Sequence, residues 1–219
     1  MILNEAAAII RLCYPPAVGA GEPNAEWRID HFARRVLPRL LAQPELDIWV
    51  WVHPRHAERV GALDASARTF TTDPMGVGTK PLPWAAVRGM PRYRDQVLLG
   101  SDDYLGPEFM RTARTALGSS PRGLVTFQPG LLDLPTGKVY LMPPYRVDRP
   151  SPICVLRQDP RAANYTWVWA LSHTRLHEVA RPATLIRDRM HALLVTHAYN
   201  DSTTTARYGV RVVPGPYWL

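Results

Sequence analysis

Apolar residues run almost unbroken from Ala6 to Leu12, until Pro15 and Pro16 stop the pattern. A run that short and that apolar predicts a strand and the loop after it. From Trp27 the period changes: Ile29, Phe32, Ala33, Val36, Leu37, Leu40 and Leu41 recur at three and four residues, a helical stripe. Asn24 is placed to cap this helix, and Pro38, with no amide hydrogen, should kink it or tighten its last turn. Leu46 to Val52 predicts a second strand, ended by Pro54. A short helix is expected over 55–63, with Ala57, Val60 and Leu63 on one face, and a weaker strand from Ala67 to Thr71. Trp84, Val87 and Arg88 stand at helical spacing within Pro81 to Tyr93. A buried strand over 96–100 follows, then a helix from Pro107 to Leu117, since proline suits a first helical turn. Strand and helix thus alternate four times in the first 118 residues, which predicts a doubly wound, mostly parallel sheet with right-handed crossovers.

The second half reads differently. Leu124–Phe127, Val139–Met142, Ile153–Leu156 and Tyr165–Leu171 are strand-like runs separated by turn residues, with brief helices expected at Thr174–Val179 and Ala183–Met190. This is a mixed or antiparallel C-terminal extension of an α/β fold. No linker divides the halves, so 1–219 reads as one domain, with 1–118 and 119–219 as its two halves.

Composition adds a bias toward anionic partners. The chain has 219 residues, a formal net charge of +7 and 22 prolines, about twice the usual share. Cys13 and Cys154 each sit in an apolar run without metal-ligand spacing, which fits small buried hydrophobes and a reducing cytoplasm. The N-terminus lacks the cationic start of a signal peptide, and no apolar run reaches the roughly 20 residues of a membrane span.

Candidate chemistry centres on Gly100-Ser101-Asp102-Asp103, directly after the fourth predicted strand. Ligands of open α/β sheets bind beyond the carboxyl ends of the strands. Two readings fit the paired aspartates: they cap the following helix, or they hold a divalent cation that binds phosphate. Other motifs fail. Gly76-Val77-Gly78-Thr79-Lys80-Pro81 has neither phosphate-loop nor dinucleotide spacing, the seven histidines show no zinc pattern, and no G-x-S-x-G elbow is present. Trp49/Trp51 and Trp167/Trp169 alternate as strand residues do, which points to core packing.

Taken together, these features resemble the GT-A glycosyltransferases, and local motifs resemble those of the rhamnosyltransferase-like family of bacteria and their phages. Trp27-Arg28, His31-Phe32 and Leu37-Pro38-Arg39-Leu40-Leu41-Ala42-Gln43 are similar to its W-x-x-R-x-x-F…l-P-S-l-x-x-Q helix. Leu98 to Leu105 resembles its DxD-type acidic motif, with Ser101 where a further carboxylate is expected, and Leu194 to Ser202 resembles its H-x-x-N-x-S segment. Of the family's T-R-F-N pattern on the first strand, Arg11 alone survives.

The resemblance implies a cytoplasmic glycosyltransferase that uses a nucleotide-diphosphate sugar and a divalent ion, Mn²⁺ or Mg²⁺. Asp103 and His197 are the implied metal ligands, with Asp102 and Asn200 beside the donor. Arg11, Arg28 and Lys80 are candidates for donor phosphate or base contacts, although Arg28 and Lys80 also read as solvated charges. His197 also reads as a buried strand histidine. If the transfer inverts, a base is needed, and Asp133 leads the candidates, with His173 also in the acceptor half; such acids are also common turn formers. The acceptor is a glycan, a virion or cell-surface protein, or a modified DNA base, and the positive charge favours an anionic one. Two other classes share these features: a non-catalytic nucleotide or nucleic-acid binder, and a metal-dependent phosphotransferase or nuclease.

Overall fold

A computed structural model describes residues 5–12, 23–64, 67–70, 90–142, 144–170, 173–196, 212–216 and 218–219. Its centre is β1 (Ala6–Leu12), which pairs in parallel with β2 (Leu46–Val52) on one side and β4 (Asp95–Leu99) on the other. β3 (Ala67–Phe70) extends the parallel set beyond β2. Beyond β4 lie β9 (Cys154–Arg157), antiparallel to both neighbours, then β6 (Gly123–Phe127) and β10 (Ala183–Ile186), parallel to each other. The seven-stranded order is therefore β10-β6-β9-β4-β1-β2-β3. Both faces of β1 are covered, which is why its apolar run is continuous. Ala6, Ala8, Ile10 and Leu12 face one cluster; Ala7 and Ile9 face another.

The helical stripe from Trp27 forms, but in three pieces. α1 (Pro23–His31) runs into a π-helical turn at Phe32–Val36 and then α2 (Leu37–Leu41). The Leu37 amide donates to the Phe32 carbonyl, one residue further back than in an α-helix. Pro38 has no amide to donate, so the turn before it widens. Phe32, Val36, Leu37 and Leu40 are buried, whereas Leu41, expected on the same stripe, is 41% exposed. α3 (Ala57–Gly61), entered through a 3-10 turn at Pro54–His56, precedes β3. α4 (Phe109–Leu117) buries Phe109, Met110, Ala113 and Leu117, and ends at Gly118, whose φ of +52° suits glycine. The helix expected over Pro81–Tyr93 falls mostly outside the described residues; Met90–Tyr93 are not helical.

A second sheet has the order β12-β8-β7-β11-β5. Its strands are β5 (Tyr104–Leu105), β7 (Gly130–Asp133), β8 (Lys138–Leu141), β11 (Ala192–Thr196) and β12 (Val212–Val213). β7 and β11 are parallel and the other pairs antiparallel. The mixed extension is therefore present. The largest apolar cluster runs through both sheets, from Ile10 and Val97 to Leu132 and Val195.

Two expected elements in this half are corrected. Ala183–Ile186 is not helical: these residues pair with Leu124–Phe127 as an edge strand of the main sheet. Trp167–Trp169 is not a strand either, but a loop entering a 3-10 turn (Val168–Ala170). Two glutamines hold that loop: Gln96 accepts from the Val168 amide (2.8 Å) and donates to the Thr166 carbonyl (3.0 Å), while Gln158 accepts from the Thr166 amide (3.1 Å). A short helix follows as expected, with a 3-10 turn at His173–Arg175 leading into α5 (Leu176–Val179).

The tryptophans pack as core. Trp51 and Trp167 are buried against Ala7, Ile9, Tyr93 and Tyr165, with Trp49 and Trp169 at the margin. The Trp49 indole donates to the Tyr93 hydroxyl (2.7 Å), which donates to Asp47 (2.8 Å). At the N-terminal end of β4, Arg157 binds Asp95 with both Nε (2.6 Å) and Nη2 (2.8 Å), a buried bidentate pair. Its place at the opposite end of β4 from Gly100 leaves the carboxyl ends of β1 and β4 for other chemistry.

Candidate functional site

Strand order reverses between β1 and β4: β2 and β3 follow β1 on one side, while β4 lies on the other. Such a switch point opens a crevice at the carboxyl ends of the strands. Gly100-Ser101-Asp102-Asp103 occupies the end of β4 there, and β5 begins immediately after it. Gly100 is closely approached by both carboxylates. A Cβ at this position would lie 2.6 Å from Asp103 Oδ2 and 3.0 Å from Asp102 Oδ1, so both carboxylates fold back over it.

The two aspartates differ in surroundings. Asp103 is 7% exposed and accepts from the Gly100 amide through Oδ2 (3.2 Å) and from the Val195 amide through Oδ1 (3.1 Å). It thereby pins the turn after β4 to β11. Asp102 is half-buried. The start of α4 is served instead by Gln43, which accepts from the Met110 amide (3.2 Å) and donates to the Gly106 carbonyl (2.9 Å). The glutamine of the family-like helix motif is thus a tie between α2 and α4, and Asp103 is not that helix's cap.

Burial raises the Asp103 carboxyl well above the ordinary carboxylate range; the negative charge of Asp102 adds to this, and the two amide hydrogen bonds oppose it. Two converging carboxylates whose charges oppose each other are a donor set that a divalent oxygen-seeking cation fits, because the cation removes the repulsion. Among the described residues no three His, Cys, Asp or Glu side chains come together to complete a metal shell. His197 lies outside the described residues, directly after the last described residue of β11, as do Asn200 and Lys80.

The other candidates disperse. Arg11 is near the carboxyl end of β1 with its guanidinium 5.9 Å from the Trp51 ring centre, on the face away from α1. Arg28 is half-buried on α1. Asp133 ends β7, one strand across from Thr196, and accepts from the hydroxyls of Thr136 (2.5 Å) and Thr196 (3.3 Å). Its backbone carbonyl also accepts from the Thr136 and Gly137 amides, so these contacts are those of a turn former. The His173 backbone opens the 3-10 turn before α5; its side chain is outside what the structure describes. Cys154 is fully buried and burial pushes its thiol up, so it is an inert core residue; Cys13 lies outside the described residues.

Tyr104, the residue after Asp103, lines a cavity of about 600 Å³ that sequence reasoning did not single out. One wall is the α1–α2 helix, contributing Trp27, His31, Arg35 and Arg39; the other is Leu132, Leu134 and Pro135 from the end of β7 and its turn. Tyr104 stands between them. The His31 ring stacks on Trp27 (4.7 Å between centres) and on Tyr104 (5.7 Å), and the Arg39 guanidinium covers Tyr104 at 4.4 Å. The four-residue spacing of Trp27, His31, Arg35 and Arg39 was the available signal, hidden because an α-helix would not keep those positions on one line.

The fold is GT-A-like, as the resemblance implied. It is similar to crystal structures of TarS from S. aureus. Residues 1–349 of TarS in complex with UDP-GlcNAc superpose with a TM-score of 0.56 at 10% identity, covering 88% of this chain and 59% of that one. The UDP complex gives 0.56 at 9% identity, covering 88% and 60%. Against the longer TarS structure the values are 0.56 and 11%, covering 88% and 37%. The chain therefore spans about three fifths of the length of the 1–349 structures. No family model matches the sequence, and no curated protein is similar to it. Among the described residues no helix is long and apolar enough to cross a membrane.

Proposed function

We propose that this protein is a glycosyltransferase that takes a sugar from a nucleotide-diphosphate donor held at the carboxyl ends of β1 and β4. The observation that carries the reading is the carboxylate pair Asp102/Asp103 over Gly100, at the switch point of a GT-A-like sheet. TarS, whose fold is alike, is seen with UDP-GlcNAc and with UDP, which makes a uridine diphosphate sugar the first donor to test.

Breaking the bond between sugar and diphosphate leaves negative charge on the departing group. A divalent ion, Mn²⁺ or Mg²⁺, would be held by Asp102, and when bound it supplies the positive charge that this leaving group needs. Asp103 is the positioning partner: its two amide bonds fix the turn that presents Asp102. This inverts the order implied by the family resemblance, in which Asp103 was the direct ligand, because Asp103 is buried whereas Asp102 is half-buried and reaches solvent. Arg11, at the carboxyl end of β1, and Arg28 and Lys80 remain the cations proposed for donor contacts, with Asn200 beside the donor and His197 as a metal ligand, both after β11 in the sequence and outside the described residues. Asp133 remains the proposed base if the transfer inverts; it must then exchange its threonine contacts for the acceptor hydroxyl.

Ligand binding to the native state raises the melting temperature by mass action. With Mn²⁺ present, one nucleotide-sugar of a UDP-, GDP-, dTDP- and CMP-sugar panel should raise it by several degrees, and the matching diphosphate should do so too. No shift with any member would remove the donor site.

A further inference from the structure

In a regular α-helix, residues four apart drift by about 40° per step, so Trp27 and Arg39 would end about 120° apart. Here both line one cavity, together with His31 and Arg35. The π turn at Phe32–Val36 lies between them and takes up rotation that an α-helix would have spent. Such turns are frequent at functional sites. The sequence of the helix, through Pro38, therefore assembles an aromatic pair and two guanidinium groups along a single wall.

Charge on this wall is one-sided. Among the described residues neither Arg35 nor Arg39 pairs with a carboxylate; burial lowers the Arg39 pKa, opposed by Tyr104 and helped by the charge of Arg35. The lining residues outside the helix and Tyr104 are Leu132, Leu134, Pro135, Gly137 and Leu219, none with a charged side chain. A volume of about 600 Å³ suits a mono- or disaccharide-sized ligand. The cavity also borders the site already described. Tyr104 is the residue after Asp103, and the Asp102 charge acts on its phenol.

We propose that this cavity is the acceptor subsite and takes an anionic saccharide, its ring against Trp27, His31 and Tyr104 and its phosphate or carboxylate on Arg35 and Arg39. Aromatic faces pack against the apolar faces of a sugar ring, and guanidinium forks match phosphate and carboxylate geometry. The role as acceptor subsite rests on the glycosyl-transfer reading; the class of ligand rests on the cavity alone.

The test is calorimetric titration of the full chain, without donor, with glucose 6-phosphate, glucuronate, glucose and inorganic phosphate. The two anionic sugars should bind at least about tenfold more tightly than glucose or phosphate, which separates the combined ring-and-charge requirement from either alone. An Arg35→Gln/Arg39→Gln double variant that retains the parent melting temperature should lose that preference, and an Arg35→Lys/Arg39→Lys variant should keep part of it. Trp27→Ala should weaken both anionic sugars while leaving the binding of phosphate itself unchanged. Equal affinity for all four probes, or a preference that survives the glutamine pair, would overturn the proposal. A protein that turns over donor but binds neither anionic sugar contradicts this subsite and leaves the transfer reading standing. One that binds them and turns over no donor upholds the ligand class and removes the acceptor role.

Discussion

Asp103 is surrounded by donors it cannot leave. Removing its carboxylate strands two amides, those of Gly100 and Val195, and each unsatisfied buried group costs about 1–3 kcal/mol. Asp102 is half-buried and more open to solvent. Adjacency in the chain conceals that difference, because which of two neighbouring side chains turns inward depends on β11, some ninety residues away. The pair was therefore readable from the sequence, and which of the two turns inward was not. A second buried polar residue makes a pH-dependent prediction. His191 is 6% exposed, and its Nε2 has no hydrogen-bond partner among the described residues; Asp188 Oδ1 is 3.7 Å away. Burial lowers its pKa, opposed by Asp188 and Glu108 and helped by Arg189. The unfolded chain then binds the proton more readily than the folded one, so stability should fall as pH drops below about 6.5. Melting temperatures between pH 5 and 7.5 check this: the slope should flatten in His191→Leu, and an unchanged slope would assign it to other groups.

At the scale of elements, the helix from Pro23 to Leu41 shows what periodicity conveys and what it conceals. The stripe of Ile29, Phe32, Val36 and Leu40 was sufficient to place it, and Pro38 was expected to disturb it. The form of the disturbance, a widened turn before the proline, depends on which carbonyl finds a partner, and periodicity is silent on that. Pro38→Ala restores an amide and should let the segment relax toward α-helical register. The expected result is a melting temperature equal to or above the parent's, with a several-fold loss of anionic-sugar binding as Arg39 rotates off the wall. Retained affinity would mean that the π turn does not set the row. The two misread elements have a related cause. Trp167-Val168-Trp169 alternates like a strand, but Gln96 and Gln158 satisfy the backbone there with side-chain amides in place of a neighbouring strand. Ala183–Ile186 looked helical because a four-residue edge strand is too short to show alternation.

For the molecule as a whole, the alternation of strand and helix up to Leu117 was strong enough to establish the parallel half and hence the crevice beyond β4. The second sheet was harder. Its strands are two to five residues long and pair across distances such as Tyr104 to Leu193, which local pattern cannot encode. The consequence is that the crevice at the carboxyl ends of β1 and β4 was foreseen and the cavity lined by α1–α2 and the end of β7 was not. The central claim remains that the carboxylates at the switch point serve nucleotide-sugar cleavage. The most direct measurement is nucleoside diphosphate release on incubation with Mn²⁺ and a nucleotide-sugar panel, by the parent and by Asp102→Asn. Slow release from one donor by the parent, about 100-fold lower in Asp102→Asn at an unchanged melting temperature, is the predicted result. Release that is absent with every donor, or that is equal in parent and variant, would contradict it.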